Sequence, residues 1–275
     1  MTFLKKTLNK ILLFVFCLLL AGAALFYFYF VRVDAGCAER PADAVGACYS
    51  VDLMGFIPIA RAEIAISGQD KRGFKNMTMK LTPVSFAEKL AKGGRFELAS
   101  AFKADNGEPR EFSISLYDKK GLRYVKTSYY DFENNMLHWK KSYPPESNRT
   151  DFLKEFTVSA PSLSPLSALF LIIQKPSEET RDKPLIIQVQ DIPYIARRTE
   201  ETKDGAVTVI TYAVGKDSSH LEPWRRRMDM KLDLAFSCGA EKTNAPGCFP
   251  FRIDLPFNIL TMRGARSSQP QESGR

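Results

Sequence analysis

Two histidines, a scatter of carboxylates, five cysteines and a crowd of aromatic residues between Tyr124 and Trp139 are the side chains here that could do chemistry. His138 stands beside Trp139 in an alternating stretch, and His220 in a polar one. Neither has an HxxxH, HExxH or HxH partner, and the chain contains no GxSxG, P-loop or GxGxxG. Asp131 and Glu133, two apart, would share one face of a strand as glycosidase carboxylates do. The same spacing is also that of an ordinary solvated face, and Glu178-Glu179 and Glu200-Glu201 read as surface charge. No catalytic residue, cofactor or metal follows from these patterns, and an enzyme is the reading with least support.

Tyr124, Tyr129, Phe132 and Trp139 are the candidate ligand-binding residues, with Tyr130 among them. Aromatic rings in alternation can line the hollow of a curved sheet and hold an acyl chain or a hydrophobic peptide. Core packing is the commoner use of such residues. The Arg225-Arg226-Arg227 cluster after Trp224 lacks the motif context of a nucleic-acid binder.

Residues 11–31, ILLFVFCLLLAGAALFYFYFV, form an unbroken apolar run of 21 residues. As a helix the run is about 31 Å long, the thickness of a bilayer's hydrocarbon core. Lys5, Lys6 and Lys10 precede it, which places the N-terminus in the cytoplasm and everything after Arg32 outside. Ala21-Gly22-Ala23 offers a signal-peptidase pattern. Cleavage there would leave the apolar stretch Ala24–Val31 on the product, so an uncleaved anchor is favoured and a cleaved, soluble product is the alternative.

Cys17 lies inside the run, which leaves Cys37, Cys48, Cys238 and Cys248 in an oxidising compartment. Four cysteines allow three pairings. The local pairs Cys37–Cys48 and Cys238–Cys248 are expected, each worth roughly 2–3 kcal/mol by loop closure. Zinc is the rival, but there is no CxxC and neither histidine is near a pair. The net charge is +8. Setting aside the three N-terminal lysines leaves 36 basic against 31 acidic residues, a modest excess that suits anionic head groups or simply a soluble basic surface.

These side chains must be carried by strands. Period-two alternation marks Tyr49–Leu53, Ala60–Ile66, Met77–Leu81, 96–102, 111–117, 122–130 and 137–142. It resumes over 185–189, 195–201, 207–214, 228–236 and 249–263. Asn106-Gly107, Lys119-Lys120-Gly121 and Asp204-Gly205 are turn signals. Two helices are expected. Ser85 with Glu88 reads as a capping box with Gly93 as terminator. Ser164-Pro165 opens an apolar helix through Leu166, Leu169, Phe170 and Ile173 to Gln174. The chain therefore divides into a basic N-terminus (1–10), a membrane anchor (11–31), a linker (32–46), a β domain (47–266) and a disordered tail (267–275). The fold class is mainly β: an antiparallel sheet curled into an open or half barrel, with one or two short helices, behind one transmembrane helix.

Three segments, in order, resemble the bacterial family named domain of unknown function 3108. Residues Tyr49–Glu63 are similar to its opening hairpin around a Gly-x-Ile-Pro turn. Ser164–Phe170 is similar to its Pro-Leu-Ser-Ala-Leu helix, and Phe249–Thr261 to its closing hairpin. The resemblance implies an exported, β-rich envelope protein, here at a bacterial inner membrane with its β domain in the periplasm. It carries no catalytic residues over. The stretch from Cys238 to Cys248 is longer than that pattern, and the uncleaved anchor also departs from it.

Two functions are expected from different classes. One is a tethered binding module for a lipid, a lipoprotein or another apolar ligand, held in the concave face. The other is an envelope scaffold that docks a protein and takes no small ligand.

Overall fold

The computed structural model describes residues 45–53, 57–158, 161–174, 183–190, 192–205, 207–216, 230–236, 250, 252–254 and 260–264. The expected anchor, most of the linker, Cys37, Cys238, Cys248, His220 and the tail lie outside the described residues. Among those described, no helix is long and apolar enough to cross a membrane.

Among the described residues, fourteen strands form one antiparallel sheet. Eight of them run as a meander: β1 (Val45–Leu53), β2 (Ile57–Ile66), β3 (Phe74–Pro83), β4 (Arg95–Lys103), β5 (Pro109–Asp118), β6 (Gly121–Asp131), β7 (Met136–Ser142) and β8 (Phe152–Thr157). A second meander follows: β9 (Leu185–Val189), β10 (Ile192–Asp204), β11 (Val207–Lys216), β12 (Met230–Phe236), β13 (Arg252–Asp254) and β14 (Leu260–Gly264). The two join where β1 pairs with β14, Tyr49 opposite Gly264 and Leu53 opposite Leu260. Consecutive strands β8 and β9 thus stand at opposite edges of the sheet.

One face of the sheet supplies the core. Tyr49, Ala62 and Leu81 are cross-strand neighbours, as are Ile64, Met79 and Leu98. On the far side of the seam, Met262, Ile253, Leu234 and Ile210 continue the same face. Alternation puts these residues inward and leaves Arg61, Glu63, Lys80 and Glu97 on the opposite face. The seam is tied by the buried Tyr49 hydroxyl, which donates to the Pro250 carbonyl at 2.8 Å.

Helix α1 (Ser85–Leu90) is a short surface turn, and α2 (Pro165–Gln174) is the core helix. Leu166, Ala168, Phe170, Leu171, Ile172 and Ile173 of α2 are all buried, so it has no polar face. Phe170 packs on Phe102 of β4 with ring centroids 4.7 Å apart. The N-terminus of α2 is capped by a buried serine pair. The Ser167 N–H donates to Ser164 Oγ at 3.1 Å, and the Ser164 N–H donates to Ser167 Oγ at 2.9 Å. Ser100 Oγ lies 2.8 Å from Ser164 Oγ and donates to the Glu111 carbonyl at 2.9 Å. Reciprocal capping satisfies amide donors that would otherwise be orphaned in the interior.

Several expectations shift. The sheet begins at Val45, inside the stretch read as linker. The N-cap of α1 is Val84 with no side-chain cap, so Ser85 is the first helical residue rather than the cap. Gly93, at φ +70°, ends that helix as expected, its N–H donating to the Glu88 carbonyl at 2.9 Å. Strand β8 had no counterpart in the sequence reading. Helix α2 begins and ends where Ser164-Pro165 and Gln174 put it. Phe170→Ala is expected to cost about 3–5 kcal/mol, because the cavity opens between helix and sheet where neither can collapse. Chemical denaturation of the variant checks it, and an unchanged midpoint would place the helix outside the core.

Candidate functional site

The aromatic stretch is divided by the pleat of β6 and β7. Ser128 opposes Trp139 and Tyr130 opposes Leu137, so Tyr124, Lys126, Ser128 and Tyr130 share the inner face with Leu137, Trp139 and Lys141. Tyr129, opposite His138, stands on the outer face and is 45% exposed. Phe132 stacks on Tyr130 at 5.8 Å beyond the end of β6 and packs against the core. Of the four sequence candidates, the structure brings Tyr124 and Trp139 to one surface and sends Tyr129 and Phe132 elsewhere.

That inner surface has a filled half and an uncovered half. At the filled end, α2 and β9 lie over the sheet. The Tyr130 hydroxyl donates to the Gln188 carbonyl at 3.2 Å, and burial in this core pushes its ionisation well above the ordinary tyrosine range. Leu163 forms a parallel bridge with Ile187, its N–H donating to Ile186 and its carbonyl accepting from Gln188. A space of about 20 Å³ remains between Val189, Gln190, Ile114, Lys126 and Trp139. It has room for about one water. The hollow expected to take a ligand is therefore plugged at this end.

Towards the other rim the cover stops among the described residues. Phe96, Leu116 and Tyr124 are cross-strand neighbours on β4, β5 and β6, and none belongs to the core cluster. Phe96 is 41% and Phe152 46% exposed. Trp139 meets Phe152 edge-on at 5.8 Å, and Tyr124 meets Tyr143 edge-on at 6.5 Å. Cations sit over these rings. Lys126 Nζ is 5.6 Å from the Tyr124 centroid and 6.0 Å from that of Trp139. Lys141 Nζ is 4.6 Å from Tyr124 and 5.0 Å from Tyr143. The arrangement is an apolar strip with positive charge along its edge, a combination that suits an amphiphile.

The sequence reading missed Lys126 and Lys141, because lysine in a strand normally marks the wet face. The available signal was parity: Lys126 lies two residues from Tyr124, and Lys141 two from Trp139, so each points with an aromatic ring.

The remaining candidates for chemistry are apart. His138 Nδ1 lies 3.1 Å from Glu155 Oε1 on the outer surface. Asp131 ends β6, and Glu133 belongs to the turn beyond it, so the two carboxylates do not share a strand face. Asp131 instead accepts from the side-chain amide of Asn134 at 2.8 Å and from its backbone N–H at 3.1 Å, which holds its carboxyl below the usual range. Among the described residues no group of three or more His, Cys, Asp or Glu could hold a metal ion. Cys48, in β1, is buried.

At the uncovered rim the Tyr143 phenol is held below its ordinary range, first by the hydrogen bond that Lys141 donates and then by the charges of Lys141 and Arg149. Spectrophotometric titration is expected to show one tyrosine ionising ahead of the others, with Lys141→Gln returning it to the common range. An unchanged first step in that variant would separate Lys141 from Tyr143.

No family model and no curated protein matches the sequence. Among solved structures, the chain is similar to the crystal structure of a beta-barrel-like protein of domain of unknown function DUF1849 from Brucella abortus. The likeness has 11% identity and a TM-score of 0.45, over 82% of this chain and 96% of that one.

Proposed function

We propose that this chain is a membrane-tethered binding module of the bacterial envelope, and that its ligand is a lipid, a lipoprotein acyl chain or another apolar molecule. The observation that carries the reading is the strip of Phe96, Leu116 and Tyr124, exposed or half-buried and outside the core cluster, on a face whose other half is packed shut. Apolar surface of that kind on a curved sheet is left where something else covers it. The tether rests on the 21-residue apolar run with its preceding lysines, and the compartment on the same run and on the resemblance to domain of unknown function 3108. Disulfides fit that compartment. Cys48, the one cysteine among the described residues, is buried and is not a free thiol.

Native mass spectrometry of the chain purified in a neutral detergent is expected to show a reproducible added mass in the lipid range. Phe96→Ser should weaken its retention about tenfold, or 1.4 kcal/mol, with little change in melting because the ring is already part exposed. A ligand-free wild-type chain would defeat the reading. Two measurements on the membrane fraction check the remainder. Carbonate washing should leave the chain attached with its N-terminus intact, and denatured, non-reduced chain should show Cys17 as its one free thiol. Release by carbonate, or four further thiols, would remove the anchor or the disulfides respectively.

The second reading, a scaffold that docks a protein, has its own observation. Strand β8 is an edge of the sheet, and its Leu153 is 60% exposed. An edge strand with exposed apolar residues can accept a strand from a partner.

A further inference from the structure

Where the filled end meets the open rim stands a pair of charges that the fold alone does not account for. Lys126 of β6 and Lys141 of β7 are direct cross-strand partners on the inner face, and both are half-buried. Like charges so placed destabilise a sheet, and partial burial adds to the cost. Among the described residues, neither has a carboxylate within ion-pair distance. Asp151, which accepts from the Tyr143 N–H at this corner, pairs at 3.1 Å with Lys140, the neighbour that points to the other face. What the two lysines have instead are rings, and they share one, Tyr124. Rings attract a cation but do not neutralise it. Lys154, opposite Trp139, and Arg149, over Tyr143 at 5.4 Å, add to the same sign.

We infer that Lys126 and Lys141 form an anion site, and that it takes the phosphate of an anionic phospholipid whose acyl chains lie along Phe96, Leu116 and Tyr124. The inference rests on the binding-module reading above and names its ligand class. Charge complementarity argues for the phosphate. The apolar strip beginning at the shared Tyr124 ring argues for a lipid over a free anion, which would leave that strip bare. The sequence places a lipid source close by. Thirteen residues separate the apolar run 11–31 from Val45, a reach of at most about 45 Å when extended.

The test uses the full chain in a neutral maltoside detergent. Phosphatidylglycerol and phosphatidylcholine with identical acyl chains are titrated, and bound lipid is counted by native mass spectrometry. Wild-type chain is expected to prefer phosphatidylglycerol about tenfold. The Lys126→Gln/Lys141→Gln variant should bind the two lipids alike, with phosphatidylcholine binding unchanged. Inorganic phosphate at millimolar concentration should not displace the lipid.

Equal binding by wild type would overturn the head-group inference and leave the apolar-ligand reading standing. No binding of either lipid would remove both. A preference that persists in the double variant would assign it to some other part of the chain, the apolar run included. Displacement by inorganic phosphate would make this a site for the free anion. As a check on folding, Lys141→Gln without lipid at low salt should melt a few degrees higher than wild type, since it relieves the repulsion. A lower melting temperature would mean that the lysines serve the sheet.

Discussion

A helix that is apolar on every side cannot rest on a flat sheet. Helix α2 sets the architecture through that constraint. Seven of its residues from Leu166 to Ile173 are buried, so partners are needed around it and not merely beneath it. Strands β3 and β4 supply one wall through Phe102, Ser100 and Lys75, and β9 supplies another, docked through Leu163. The buried serines at its start follow from the same condition. A helix end enclosed by protein has no water to satisfy its first amides, so Ser164, Ser167 and Ser100 do so. Gly107 belongs to the same enclosure, at φ +70° and so close to Leu171 that an added Cβ would lie 2.8 Å from that side chain.

The plug also decides where a ligand can go. A curled sheet of this length could have enclosed a cavity, but α2 and β9 occupy one half of the inner face and stop short of the other. The site is what the plug leaves uncovered. Its residues therefore belong to the far ends of β4 to β8, and its charge comes from lysines that a closed interior would not tolerate.

Much of this architecture was legible because each signal was local. Ser164-Pro165 announces a helix start by its own chemistry. Asn106-Gly107 and Asp204-Gly205 announce turns, and Gly107 and Gly205 do adopt positive φ. Alternation over Ala60–Ile66 or Met77–Leu81 reports a half-buried strand without further context. What was not legible depended on partners distant in sequence. Strand β8 needs no alternation, since most of Phe152–Thr157 is exposed at an edge. Asp131 and Glu133 looked like strand neighbours until Asn134 turned the chain. Parity places each lysine beside a ring, but not the two together, because the register that sets Lys126 against Lys141 is a property of two strands. Tyr124 and Trp139 were visible as aromatics, but only the pleat separates them from Tyr129.

The seam between β1 and β14 has a mechanical side. The segment that follows the apolar run enters the fold at Val45, and β1 lies in the interior of the sheet, laddered to β2 on one side and β14 on the other. A pull on that segment therefore loads a strand held by two ladders and by the Tyr49 hydroxyl, instead of peeling an edge. Among the described strands, those with only one neighbour in the sheet, β8 and β9, stand at its two ends, away from β1. Such a load would be resisted where the sheet is most continuous, and the rim that carries the candidate site lies toward the β8 edge, away from the line of force.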